Sequence, residues 1–86
     1  MKEFTYTITD PQGIHARPAG LLVKEAASFA DTNITIGKDG NDVDLKRILG
    51  VMSLGAKQGD EITIKCDGAD EDAAAAKIEA FLKENM

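Results

Sequence analysis

Phe4, Tyr6 and Ile8 alternate with Thr5, Thr7 and Thr9. A period of two, rich in aromatic and β-branched residues, predicts a half-buried strand. Asp10-Pro11-Gln12-Gly13 ends it, because Pro and Gly break regular backbone. From Ala16 to Ala30 the apolar residues Leu22, Ala26 and Phe29 recur at helical spacing. Pro18 falls in the first turn of that helix, where a missing N–H costs nothing. Asn33 to Ile36 alternates again and predicts a second strand. Gly37-Lys38-Asp39-Gly40 is a hairpin signal, with two glycines free to take positive φ. Val43 and Leu45 continue the return strand.

Leu45, Ile48, Leu49 and Met52 stand at i, i+3, i+4 and i+7, which predicts a short amphipathic helix. Gly55 can supply its left-handed end. Gly59 then turns the chain into a strand over Glu61 to Cys66, with Ile62 and Ile64 facing inward. Asp67-Gly68 turns it again. Asp70 stands where it can N-cap a last helix, with Glu71 and Asp72 at the positive end of the helix dipole. The inward stripe of that helix is Ala74, Ile78, Phe81 and Leu82, and Lys83 lies near its negative end. The order βαββαβα predicts an α+β fold, an open-faced β-sandwich with a four-stranded antiparallel sheet and three helices on one face. At 86 residues the chain reads as one domain spanning 1–86.

Composition narrows the function. Lys and Arg number 10 against 15 Asp and Glu, a net charge of −5. That balance argues against nucleic acid and against anionic membranes, both of which call for a basic face. No apolar run approaches the ~20 residues of a membrane span. Met1 to Asp10 carries Lys2 and Glu3 in a strand pattern and does not read as a signal peptide. Cys66 is the only cysteine and His15 the only histidine. Together they are too few for a zinc site without carboxylates, so neither a metal nor a cofactor is expected. The single cysteine fits a reducing compartment. Cys66 itself reads as a small apolar packing residue.

The charge is unevenly placed. Residues 1–57 hold seven basic and seven acidic groups, so the whole −5 lies in residues 58–86. Two windows contain no acid. Pro11 to Lys24 holds His15, Arg17 and Lys24, and Leu45 to Gly59 holds Lys46, Arg47 and Lys57.

The candidate chemistry lies in the first window. Gly13-Ile14-His15-Ala16-Arg17-Pro18 follows a strand and opens a helix. A helix start presents unpaired N–H groups and the positive end of the macrodipole, which together attract anions. A neutral imidazole is a competent nucleophile toward phosphorus. A phosphoryl group on His15 would meet the helix N–H groups and the Arg17 guanidinium, both of which stabilise its oxygens. On residue types alone, a lone histidine near a helix start is more often a solvent-facing cap than a reactive group.

The run Gly13-Ile14-His15-Ala16-Arg17-Pro18-Ala19, followed by Leu21-Leu22-Val23, resembles the active-site signature of the histidine-containing phosphocarrier (HPr) family of the bacterial phosphotransferase system. Val51-Met52-Ser53-Leu54-Gly55 resembles the second helix of that family, and Asp67-Gly68-Ala69-Asp70-Glu71 the approach to its third. The resemblance covers the whole chain. It implies a cytoplasmic phosphocarrier, not an enzyme in its own right, that accepts a phosphoryl group from phosphorylated enzyme I on the imidazole Nδ1. It implies transfer from there to the A domains of sugar permeases. His15 matches the family's acceptor and Arg17 its active-centre arginine, with Ala16 and Pro18 between and beside them. Partner docking in the family uses the first two helices, here including Gly20, Lys24, Arg47, Leu49, Gly50 and Met52. A monomer is expected.

One position departs from the family pattern. Low-GC Gram-positive members carry a regulatory serine in a Lys-Ser-Ile run, which here reads Lys46-Arg47-Ile48. Arginine accepts no phosphate, and it supplies positive charge where phosphoserine would supply nearly two negative charges. Three other readings remain open: a regulatory or nitrogen-branch paralogue with the same histidine chemistry, a small hydrolase built on His15, and a plain binding module in which His15 is incidental. The hydrolase is disfavoured because the active window contains no second catalytic group.

Overall fold

The computed structural model describes residues 1–86. Its elements are β1 (Lys2–Thr7), α1 (Ala16–Ala27), β2 (Thr32–Lys38), β3 (Asn41–Asp44), α2 (Ile48–Ser53), β4 (Glu61–Gly68) and α3 (Glu71–Asn85). The four strands form one antiparallel sheet in the order β1-β4-β2-β3. Both the element order and the α+β open sheet agree with the sequence pattern.

Register explains which face is buried. Phe4 pairs with Ile64, and Ile64 pairs with Ile36, so one apolar row crosses three strands. Tyr6–Ile62 and Ile34–Cys66 make parallel rows beside it. These residues share one face because side chains alternate along a strand. The helices cover that face with Ala19, Leu22 and Ala26 of α1, Val51 of α2, and Ala74, Ile78 and Leu82 of α3, all buried. Cys66 is fully buried in this core, and burial pushes its thiol pKa up, so it packs as a small apolar group.

Four local expectations need correction. First, α1 ends at Ala27, three residues before Ala30. Phe29 N–H bonds back to the Ala26 carbonyl at 3.1 Å and Ser28 Oγ to Glu25 at 2.7 Å. These tight closing bonds turn the chain toward β2.

Second, Leu45 is not part of α2. Its N–H bonds to the Ile34 carbonyl at 2.9 Å and its side chain is buried as a continuation of the sheet. Asp44 Oδ1 accepts from Lys46 N–H at 2.9 Å, a local turn that delays the helix to Ile48. The buried residue of α2 is therefore Val51, while Ile48, Leu49 and Met52 are exposed.

Third, the hairpin turns on Asp39 (φ 53°) and Gly40 (φ 84°), the pair of positive values a tight two-residue turn requires. Gly37 lies in β2, paired with Asp42 and Thr63.

Fourth, Asp70 occupies the N-cap position of α3 but its carboxylate makes no capping bond. Its N–H donates to Thr32 Oγ1 at 3.0 Å, and Glu71 instead accepts from the Gly68 N–H at 3.3 Å.

Candidate functional site

His15 is the N-cap of α1, with extended backbone (φ −105°, ψ 179°). Its carbonyl accepts the first helical bond, from Ala19 N–H at 3.0 Å. Ahead of that bond, Ala16 and Arg17 keep N–H groups with no intrahelical acceptor, and Pro18 has none to offer. The site therefore sits at the open positive end of a 12-residue helix.

The loop presenting His15 is held from three directions. Gly13 takes φ +65° and Ile14 N–H bonds to the Ala56 carbonyl at 3.1 Å. Gly59 N–H bonds to Ile8 at 2.8 Å and Gln58 Nε2 to the Thr9 carbonyl at 3.2 Å. On the third side, the main-chain oxygen of Met86 accepts from Thr9 N–H at 2.6 Å, Asp10 N–H at 2.8 Å and Thr9 Oγ1 at 2.9 Å.

A shallow open cleft of about 160 Å³ is lined by Asp10, His15, Arg17, Pro18, Leu21 and Asn85. It brings together the predicted His15, Arg17 and Pro18; the neighbouring Ala16 is exposed at the first helical position. Arg17 is exposed and makes no ion pair, so its guanidinium is free for an incoming anion. The largest hollow on the molecule, about 490 Å³, lies on the bare face of the sheet. Its lining is crossed by the Lys65–Asp42 ion pair at 3.0 Å and contains no histidine.

Asp10, Leu21 and Asn85 are site residues that the sequence did not single out. Asp10 Oδ2 lies 3.9 Å from His15 Nε2. The first acid-free window begins at Pro11, one residue too late to include it. A carboxylate therefore stands beside the imidazole, although no second catalytic group lies within the active window itself. Leu21 is 48% exposed at the cleft edge, a helical neighbour of the predicted stripe that falls outside it.

The predicted docking residues spread over α1 and α2. Lys24 and Arg47 are exposed, Leu49 is 83% exposed and Met52 is 39% exposed. Gly20 of α1 lies against Ile48 of α2, whose Cδ1 stands 3.7 Å from where a Cβ would be. Gly50 turns the other way, toward Val43 of β3. Exposed Leu21, Ile48, Leu49 and Met52 form the apolar surface of these two helices.

The basic character of the second window is also altered by folding. Lys46 turns inward, its ammonium donating to the Phe29 carbonyl at 2.8 Å and the Thr32 carbonyl at 2.7 Å. Arg47 has Asp44 at 3.7 Å, although it remains largely in solvent.

A family model described as the phosphotransferase-system HPr component phosphorylation site matches residues 2–84. The chain belongs to the HPr family. It is 47% identical to the phosphocarrier protein HPr of Mycoplasma genitalium over 85 residues, covering 99% of this chain and 97% of that one. Among solved structures, a histidine-containing phosphocarrier protein described in the context of Mycoplasma divergence superposes with a TM-score of 0.92 at 43% identity, covering 96% of this chain and 93% of that one. HPr-C-His of Thermoanaerobacter tengcongensis gives a TM-score of 0.92 at 38% identity, covering 98% and 93%. The HPr relationship makes the chain a phosphocarrier of the phosphotransferase system and not an enzyme. No helix of this HPr chain is long and apolar enough to cross a membrane.

Proposed function

We propose that His15 is the phosphoryl acceptor of a relay from enzyme I to the A domains of sugar permeases, carried out in the cytoplasm by residues 1–86 as one phosphocarrier domain. The observation that carries this reading is the placing of His15 as N-cap of α1, in one cleft with the unpaired Arg17 guanidinium. A phosphoryl group on Nδ1 meets the free N–H groups of Ala16 and Arg17 and the guanidinium, so its charge is stabilised by donors already in place. Pro18 fixes the first turn that aims those donors.

Gly20, Lys24, Arg47, Leu49, Gly50 and Met52 serve partner docking, joined by Leu21 and Ile48. Apolar contact supplies affinity there, and Lys24 and Arg47 speed encounter with acidic partners. Gly50 acts indirectly, by letting α2 lie close on β3. Arg47 stands at the family's regulatory serine position, so control by seryl phosphorylation at that point is lost.

The test is to mix the protein with phosphoenolpyruvate and enzyme I and to seek an acid-labile, base-stable mass increase. Wild type gains one phosphoryl group, His15→Ala gains none, and Arg17→Ala gains it slowly with an unchanged melting curve. An unlabelled wild type overturns the reading, and label retained by His15→Ala overturns the site. Label that decays without an acceptor present identifies a hydrolase instead.

A further inference from the structure

We propose that Asp10 is a positioning residue for His15, fixing which ring nitrogen carries the proton and so leaving Nδ1 free to attack phosphorus. The inference rests on the phosphocarrier reading above and adds a part to it.

Asp10 is held on several sides. Its Oδ1 accepts from Gln12 N–H at 2.8 Å, its carbonyl accepts from Gly13 N–H at 2.9 Å, and its own N–H donates to Met86 at 2.8 Å. Pro11 restricts the backbone between these bonds. With Oδ1 committed to the turn, the other oxygen, Oδ2, is the one aimed at His15 Nε2, 3.9 Å away. That spacing is an electrostatic contact, longer than a hydrogen bond; catalytic hydrogen bonds are commonly long in the free protein and tighten when the reacting partner arrives.

An ionised carboxylate only accepts hydrogen bonds, and a neutral imidazole carries one N–H. The carboxylate at Nε2 therefore favours the Nε2–H tautomer, which leaves the lone pair on Nδ1. During transfer the P–Nδ1 bond forms as the donor's bond to phosphorus breaks, and that electron pair returns to the donor. The Nε2 proton stays in place throughout, so no proton has to leave the ring. Positive charge that develops on the imidazole faces Asp10, while the phosphoryl oxygens face Arg17 and the helix start. Passing the group onward reverses the same bonds.

The experiment is ¹⁵N NMR of the His15 ring at alkaline pH, in wild type and Asp10→Asn, with phosphoryl transfer from enzyme I measured alongside. Asparagine keeps an Oδ1 for the Gln12 turn but presents an N–H₂ donor to the ring. The ratio of Nε2–H to Nδ1–H should fall several-fold in Asp10→Asn, with acceptance slowed on the order of tenfold. A buried Asp–His pair loses ~10⁴ on the same change; the smaller effect follows from a His15 side chain that is 39% exposed. Asp10→Ser, which can also accept the turn bond but carries no charge, should give an intermediate ratio and stands in should the asparagine variant misfold. An unchanged tautomer ratio in the folded variants overturns the proposal. The ring measurement needs no partner, so a wild type that takes no phosphoryl group sinks the relay and leaves the tautomer assignment to be judged separately.

Discussion

Gly13 packs directly against the backbone of Ala56, so closely that a Cβ on Gly13 would collide with the Ala56 carbonyl oxygen and stand 2.7 Å from Lys57 Cα. The loop that presents His15 is thus pressed on a segment more than forty positions away in the chain, and the positive φ of +65° adds a second demand for glycine. Gly13→Ala should cost about 2 kcal/mol or more, through backbone strain and the clash together. Chemical denaturation reads the loss; a variant as stable as wild type would show that the loop is not held in this way.

Lys46 should behave as a structural lysine. Its ammonium bridges the Phe29 and Thr32 carbonyls, tying the end of α1 to the start of β2. Charge-assisted bonds of this kind are worth roughly 1.5–3 kcal/mol in total when truncation leaves acceptors unpaired. Lys46→Met, which keeps most of the apolar stem, should lower the urea midpoint accordingly with little change in m. An unchanged midpoint would mean that water replaces the ammonium without loss.

Acid should weaken the fold through two identified carboxylates. The Lys57 backbone N–H, and then the Lys38 ammonium, hold the Asp60 pKa below its ordinary value of 3.8. The Met1 ammonium and the Gly68 N–H do the same for Glu71, below 4.5. Each lowered pKa adds stability that is complete above the ordinary value and disappears as pH falls through the folded one. The Met1 ammonium is raised above 8.0 by the same Glu71 pair, so its part is complete below 8.0 and fades as pH rises through the folded value. Melting temperature should therefore fall on both sides of a neutral plateau. Glu71→Gln should flatten both limbs, and equal slopes in variant and wild type would contradict the assignment.

Leu49 should separate docking from folding. With 83% of its surface exposed it contributes little to the core, so Leu49→Ala should change stability by less than about 0.5 kcal/mol. Binding to enzyme I should nevertheless weaken on the order of tenfold, as for a central apolar contact. Calorimetry or surface binding checks the second claim, and affinity equal to wild type would remove Leu49 from the docking surface.

Arg47 leads to a qualitative outcome. A seryl kinase that acts at the family's regulatory serine position should leave the chain unmodified and should phosphorylate Arg47→Ser. Ser53 is a poor substitute, because its hydroxyl already donates to the Gly50 carbonyl at 2.6 Å. Efficient modification at Ser53 in the unmutated protein would reverse the expectation.

The sequence alone determined the element order, the antiparallel sheet and the placing of His15 near a helix start. Each is a consequence of local periodicity, of turn residues, or of the signature around Gly13 to Ala19. It also placed Leu45, Ile48, Leu49 and Met52 on one stripe of a short amphipathic helix. Only the tertiary structure decided that Val51 is buried and Ile48 exposed, because Leu45 joins the sheet by bonding to Ile34. It likewise decided how charge is arranged. Four acids bound the two acid-free windows, Asp10, Glu25, Asp44 and Asp60, and the fold brings three of them back onto the window they border: Asp10 to His15, Asp44 to Arg47, Asp60 to the Lys57 N–H. Turns make that arrangement, since an Asp side chain reaches groups three to five positions away only when the chain bends there. A window drawn on the sequence counts charges between two boundaries, whereas electrostatic interaction depends on distance, and the residues just outside a window at a turn are among the nearest to it in space.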